Sequence, residues 1–401
     1  MKFCMVTTFY PPYHFGGDAL FVYRLSEALA ERGHSVDVIH SVDAYRLQHP
    51  QEPEKTFSHH PNVTRYELKT TAPKLSALAA HQLGSPAVYA RKLRQLLEQD
   101  YDVIHYHNIS LMGGPGVLRL GGALKLYTAH EYWLICPTHV LFTFNREACV
   151  ERKCIRCTLH ARRPVQLWRS VGWIQRCLRE VDCLLAPSEF AAKQFRQEGL
   201  DCPMQVLPHF VPFPTSLTEP EAHPAHPRPY FLFVGRLEKL KGVQDLIRIF
   251  SKYDAAELLI AGDGSYVDTL REQARGLQHV HFLGSVDSLQ LDALYRDAIA
   301  LLVPSLCYET FGLTAAEAMA HGTPVIARRI GALTEIVEQS GGGRLFDTLE
   351  QCRDEMERLR TDPGLRKHLG ERGRNAAAEN WTVEVHLTRY VEIVRRVAVL
   401  A

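Results

Sequence analysis

The sequence predicts an α/β protein made of two doubly wound, parallel-sheet domains. Three observations carry that prediction. The chain opens on a strand, a Gly-rich loop, a helix and a second strand. Its second half repeats short apolar runs between amphipathic helices. A stretch holding Pro212, Pro214, Pro220, Pro224, Pro227 and Pro229 separates the two halves. At 401 residues the chain has length for two or three domains, each with its own core. It is 46% hydrophobic and 23% charged, the composition of an ordinary globular protein. A formal net charge of +1 gives no electrostatic pointer to nucleic acid, and none is expected as a partner.

No apolar run reaches the ~18–20 residues needed to span a bilayer. The apolar part of Met1–Thr8 is too short for a signal peptide and reads as a first strand, so a cytoplasmic protein is expected. Most of the 10 cysteines are scattered singly, with Cys4, Cys183 and Cys307 in or beside strands, which fits buried reduced thiols.

In the first half, Lys2–Thr8 is the opening strand, and Pro11-Pro12 and Gly16-Gly17 form the loop after it. A helix follows from about Asp18, with Leu20, Tyr23, Leu25, Ala28 and Leu29 facing inward, and Gly33 ends it. Ser35–His40 is the next strand. The loop is not G-x-G-x-x-G, so a dinucleotide fingerprint is absent. Residues 49–73 read as loop with at most one strand, and Ala87–Gln99 as an amphipathic helix. Asp102–His107 and Leu124–Thr128 are strands, the latter leading to His130 at a C-terminal strand end, where open α/β sheets bind ligands. The alternation of strand faces gives His105 and His107 a weaker claim. Cys183–Ser188 and Gln205–Leu207 complete this half.

In the second half, Tyr230–Val234, Leu258–Ala261, Val280–Leu283, Ile299–Val303 and Pro324–Ala327 alternate with helices over Val243–Tyr253, Tyr266–Ala274 and Leu289–Asp297. Two stretches carry chemistry. Gly235-Arg236-Leu237-Glu238-Lys239-Leu240-Lys241-Gly242 puts two cations at a loop entering a helix, a place suited to a diphosphate. Glu309 lies in the loop after Ile299–Val303, and a helix over Phe311–Ala320 carries Glu317 eight residues on. The first amides of that helix, at Phe311, Gly312 and Leu313, make an anion site, and Gly312 leaves room for a ligand to approach the backbone. Carboxylates beside such a site suit polyhydroxylated ligands.

These residues resemble the E-x7-E and G-R-x-x-x-x-K-G signatures of the retaining glycosyltransferases of family 4 (glycosyltransferase group 1). The resemblance implies the GT-B fold, two Rossmann-like β/α/β domains facing a central cleft. The expected division is an acceptor domain over 1–210, a Pro-rich linker over 211–229, a nucleotide-sugar domain over 230–380 and a C-terminal helix over 381–401 packing back on the first domain. It implies Arg236 and Lys241 on the donor diphosphate, Glu309 on donor-sugar hydroxyls and Glu317 on the ribose diol. Gly235 and Gly284 (in the Phe282–Gly284 stretch) fall beside the nucleotide, Gly17 beside the phosphate and acceptor, and His130 beside the donor sugar. Gly331-Ala332 departs from the family's usual Gly-Gly by one methyl group.

The implied activity is transfer of a hexosyl unit from a nucleotide diphosphate sugar, UDP-linked first and GDP-linked next. The acceptor is a hydroxyl of a saccharide, lipid-linked or small-molecule compound, in cell-surface polysaccharide or glycoconjugate synthesis. Configuration is retained, and no cofactor is needed for the chemistry. A nucleotide-sugar epimerase or phosphorylase of the same architecture, or a non-catalytic nucleotide-sugar-binding protein, stays open.

Cys136, Cys149, Cys154 and Cys157, in an insertion over about 132–165, form the one cysteine cluster, and a C-x-x-C pair with two further thiols resembles a structural zinc knot. Nearby Arg152, Lys153, Arg156, Arg162, Arg163 and Arg169, with Trp168 and Trp173, make a basic stretch. It reads as a solvated helix face, with an anionic acceptor or peripheral binding to the inner membrane surface as the alternative.

Overall fold

The computed structural model describes residues 1–49, 51–53, 55–214 and 225–400. Its strands are β1 (Lys2–Val6), β2 (Ser35–Ser41), β3 (Val63–Leu68), β4 (Val103–Tyr106), β5 (Leu124–Thr128), β6 (Phe142–Thr143), β7 (Glu147–Ala148), β8 (Cys183–Ala186), β9 (Met204–Val206), β10 (Tyr230–Val234), β11 (Glu257–Ala261), β12 (Val280–Gly284), β13 (Leu301–Val303), β14 (Val325–Arg328) and β15 (Gly343–Phe346). The chain forms two compact units. The first holds Met1–His139, Lys153–Pro208 and the chain from His386 onward, and the second Val140–Arg152 and His209–Val385.

The first unit is a parallel sheet in the order β3-β2-β1-β4-β5-β8-β9. β1 is buried on both faces, Phe3, Cys4, Met5 and Val6 being wholly inaccessible, as a strand covered by helices on each side must be. The helix Gly17–Glu31 starts one residue earlier than its sequence pattern suggests. It buries Phe21 and Val22 together with Leu25, Ala28 and Leu29, whereas Leu20 and Tyr23 stay partly exposed. The last helix, Val383–Leu400, closes this unit from His386 onward: Tyr390 lies against Phe3, and its hydroxyl meets His105 Nδ1 at 3.0 Å.

The second unit carries a parallel sheet in the order β12-β11-β10-β13-β14-β15. Helices on its two faces bury separate apolar clusters, one around Phe231, Leu258 and Ile260, the other around Leu232, Leu259 and Met319. In both sheets the strand order reverses beside the first strand, between β1 and β4 and between β10 and β13, which is where such sheets open a crevice at their C-terminal ends.

Several boundaries differ from the sequence reading. Val211 and Phe213 are not linker: the Val211 amide bonds the Trp381 carbonyl at 2.9 Å, and both side chains pack into the second unit's core. Residues 215–224 of the expected linker lie outside the described residues. The terminal helix is divided, its first turn belonging to the second unit. The cysteine insertion is divided too, because Val140–Arg152, which folds as the β6–β7 hairpin, belongs to the second unit.

Candidate active site

In the second unit, the chain leaves β10 through Gly235 and Arg236, passes a single turn at Lys239–Lys241, and enters the helix Val243–Phe250. The chain leaving β13 passes Pro304 and Ser305 before Glu309. Gly242 fixes the approach of these two segments. It has φ of +77°, and a Cβ there would fall 2.1 Å from the Pro304 carbonyl oxygen, so only glycine fits. The Leu306 amide then donates to the Leu240 carbonyl at 2.8 Å. Arg328, at the end of β14, braces the same turn, donating from Nε to the Pro304 carbonyl at 3.2 Å and pairing with Asp245 at 2.7 Å.

The scaffold brings Lys241 and Glu309 together. Lys241 Nζ donates to Glu309 Oε1 at 2.6 Å, and Ser305 Oγ donates to the same oxygen at 2.8 Å. The two charged side chains are 23% and 20% exposed, open enough to meet a ligand and closed enough for their attraction to matter. Burial pushes the Glu309 carboxyl up, but the Lys241 ammonium, the Lys241 and Ser305 hydrogen bonds and the charge of Arg236 together hold it below the usual carboxylate range. Burial likewise pulls Lys241 down, and Glu309 more than reverses it, leaving the ammonium raised. Arg236 is exposed and, among the described residues, forms no ion pair, so its planar donors face solvent.

The helix beyond Glu309 runs Leu313–Ala320 and starts at Gly312, φ +110°. The structure adds a reason for this glycine that its sequence does not show. A Cβ at Gly312 would point inward, 3.0 Å from Leu333 Cδ2, so backbone conformation and core packing favour glycine there. Phe311 is also turned inward, against His209 and Trp381, so only its backbone is available to a ligand. The first intrahelical bond among these residues is Ala316 N–H to the Gly312 carbonyl, at 3.1 Å, which leaves the amides of Phe311 to Leu313 ahead of the helix ladder. Glu317 accepts from the Tyr295 hydroxyl at 3.2 Å. Gly235 and Gly284 flank Ala261-Gly262: the Gly235 amide bonds Ala261 and the Gly262 amide bonds Gly284, at 3.0 and 2.7 Å.

The first unit presents a different arrangement at its own switch point. His130 follows β5, and its Nε2 lies 2.9 Å from His107 Nδ1. His105 Nε2 meets Thr128 Oγ1 at 2.7 Å. His105 and His107 share one face, their rings 4.0 Å apart, because residues two apart on a strand point the same way; the lower rank given to both histidines on grounds of opposite faces is corrected. Phe21 sits edge-on to both His130 and His386. Burial first, and the neighbouring His386 second, hold His130 down at about 3, so its ring is neutral at ordinary pH. Gly17 is the first residue of the helix that supplies Phe21.

Of the basic stretch, Arg169 is no surface cation. It is stacked between Trp168 and Trp133 and bonded to Gln166 and the Leu134 carbonyl, and burial lowers it to about 10. Trp168 and Trp173 are tied by their indole N–H groups to the His81 and Gly84 carbonyls. None of the ten cysteines is in a disulfide; Cys136 is buried, Cys149, Cys154 and Cys157 are half-buried, and the last two lie in the helix Cys154–His160. Among the described residues no helix is long and apolar enough to cross a membrane.

Two family models match this chain: Glycosyltransferase Family 4 over residues 15–213, and Glycosyl transferases group 1 over residues 217–376. The chain belongs to the group 1, family 4 glycosyltransferases. Its curated relatives include glycogen synthase of Mycobacterium tuberculosis, 29% identical in an alignment of 359 positions that covers 84% of this chain and 80% of the relative. Among solved structures, the glycosyltransferase superposes on sucrose-phosphate synthase of Thermosynechococcus elongatus with a TM-score of 0.75, at 22% identity and full coverage of both chains. It superposes on Anabaena HepE in complex with UDP-glucose with a TM-score of 0.70, at 18% identity, over 99% of this chain and 100% of the other. The fold is GT-B, and the protein is a transferase.

Sequence reasoning missed Ser305, Tyr295 and Arg328. Ser305 carried a weak signal, four residues ahead of Glu309 at the strand-ending turn. Tyr295 and Arg328 carried none, since each reaches the site from another element.

Proposed function

We propose that this glycosyltransferase moves a hexosyl unit from a nucleoside diphosphate sugar to an acceptor hydroxyl with retention of configuration. The observation that carries this reading is the Lys241–Glu309–Ser305 cluster at the switch point of the second sheet, beside an uncommitted Arg236 and a helix start. Among the structures sharing the fold, one holds UDP-glucose, which makes a UDP-linked donor the first to test and a GDP-linked one the second.

In this reading the donor diphosphate takes over Arg236 and Lys241. Negative charge builds on its leaving oxygen as the anomeric bond stretches, and the cations and the amides of Phe311–Leu313 stabilise that charge. Glu309, released from its ion pair, accepts hydrogen bonds from the sugar, and Glu317 from the ribose. The acceptor hydroxyl attacks the anomeric carbon on the face the diphosphate leaves. Its proton passes to the departing phosphate oxygen, so no side chain serves as base. His130, at the switch point of the first sheet, is a neutral hydrogen-bonding group.

The test is a screen of nucleoside diphosphate sugars for slow hydrolysis by the purified enzyme. One donor is expected to yield free sugar and nucleoside diphosphate, with the anomeric proton signal of the first product retained. Failure of every donor to be hydrolysed or to bind rejects the reading, and so does a donor converted to an isomeric nucleotide sugar, which points to an epimerase.

A further inference from the structure

We propose that His226, Glu257 and His281 form a thiol-free site for a divalent transition ion, zinc above all, at the edge of the second sheet away from the chemistry. Glu257 opens β11, His281 is the second residue of β12, and His226 lies four residues ahead of β10. All three therefore sit at the N-terminal ends of strands whose C-terminal ends carry Arg236 and Gly284, a strand length of about 15 Å away.

Glu257 is a carboxylate only 7% exposed at the head of an apolar strand, and such a charge needs partners. Its two oxygens are used unequally. Oε1 takes Arg228 Nη1 at 3.1 Å, and that guanidinium is 58% exposed. Oε2 faces both imidazoles: His226 Nε2 makes a short contact with it, and His281 Nε2 lies at 2.9 Å. The His281 nitrogen is buried and, despite that distance, makes no properly directed hydrogen bond. The three ligand atoms lie within 4.8 Å of one another, a spacing from which all three can reach one ion.

A single arginine already neutralises Glu257. Two further ring nitrogens converging on its other oxygen exceed what that charge requires, and they are what a metal requires. Two imidazoles and a carboxylate are a borderline-soft donor set that suits zinc. With metal–ligand bonds of about 2.0–2.1 Å, tetrahedral donors stand about 3.3 Å apart, so an ion bound here moves both imidazole nitrogens away from Glu257 Oε2, by about 0.4 Å for His281 and further for His226. His226 and His281 are 21% and 35% exposed, which gives the ion a way in and leaves a fourth position for water. The ion would tie the segment entering β10 to the heads of β11 and β12.

The experiment uses the full chain stripped with chelator and dialysed against limiting zinc, with bound zinc per chain and melting temperature read together. Wild type is expected to hold about one equivalent more than either His226→Gln or His281→Gln, and zinc should raise its melting temperature by several degrees more than theirs. Cobalt keeps this site distinct from the cysteines: the difference spectrum between wild type and either variant should show visible ligand-field bands without thiolate charge transfer. Arg228→Gln removes a repelling cation and should tighten zinc binding about fivefold, the effect of an exposed charge pair. Circular dichroism checks that each variant folds, and the two histidine variants stand in for each other if one does not. Equal zinc content and equal melting shifts in wild type and the folded variants overturn the proposal, as does a cobalt difference spectrum carrying the thiolate band.

Discussion

Two sheets of the same strand order carry opposite electrostatics at the same topological point. At the end of β13 the second unit holds an ammonium and a carboxylate 2.6 Å apart, both fully ionised and both partly exposed, with a guanidinium nearby. At the ends of β4 and β5 the first unit holds a row of tilted imidazoles, and burial disfavours the charged form of His105 and His130. The switch point supplies a crevice, and the residues placed there decide what it can do. Charged groups suit a donor whose leaving group is an anion. Neutral imidazoles can donate or accept a hydrogen bond without bringing a charge into the site.

The largest expected effect is on the charged side. Lys241→Ala or Glu309→Ala should lower kcat/KM for transfer by about a thousandfold or more, the scale of removing a preorganised charge from a transition state, while circular dichroism stays native. Full activity in both would break the contrast between the units. Arg236→Lys keeps the charge but loses the planar donor pair, and about a hundredfold loss is expected in the same assay. On the neutral side, the comparison sharpens with pH. The folded pKa of His130 is about 3 and that of His386 about 4, both below the unfolded value near 6.5. The unfolded chain therefore takes up more protons below pH 6.5, and stability falls as pH drops from there toward 4, by up to about 1.4 kcal/mol per pH unit for each histidine. Denaturant titrations between pH 7 and 4.5 should show that decline, and His130→Gln should flatten part of it. The Glu309 contribution has the same sign in a lower window: its depressed pKa stabilises the fold above the ordinary carboxylate range, and that stability is lost as pH falls through and below that range. The smallest expected effect is from Ser305→Ala, which removes one hydrogen bond to a carboxylate and should cost about tenfold in kcat/KM.

The charged half of this contrast was legible in the sequence. Arg236, Lys241, Glu309 and Glu317 announce themselves through charge and glycine at fixed spacings after apolar runs. The packing reason for Gly312 was not, because a string of residues does not say which way an absent Cβ would point. Ser305, Tyr295 and Arg328 act across elements far apart in the chain, and so do His226, Glu257 and His281, whose convergence depends on strand register. Pro-rich composition suggested a linker from residue 211, yet Val211 and Phe213 are apolar enough to be drawn into a core. Polar helices such as Pro363–Asn380 escaped a reading based on apolar periodicity, since few of their residues are buried.

The packing of the final helix sets an order of events during synthesis. Tyr390 supplies the hydroxyl facing His105 and a ring against Phe3, so the first sheet lacks part of its covering until the ribosome has made every residue of the second unit. The covering of the first sheet therefore waits for the chain's last helix, and the half translated first receives its final piece only after the second unit has been made.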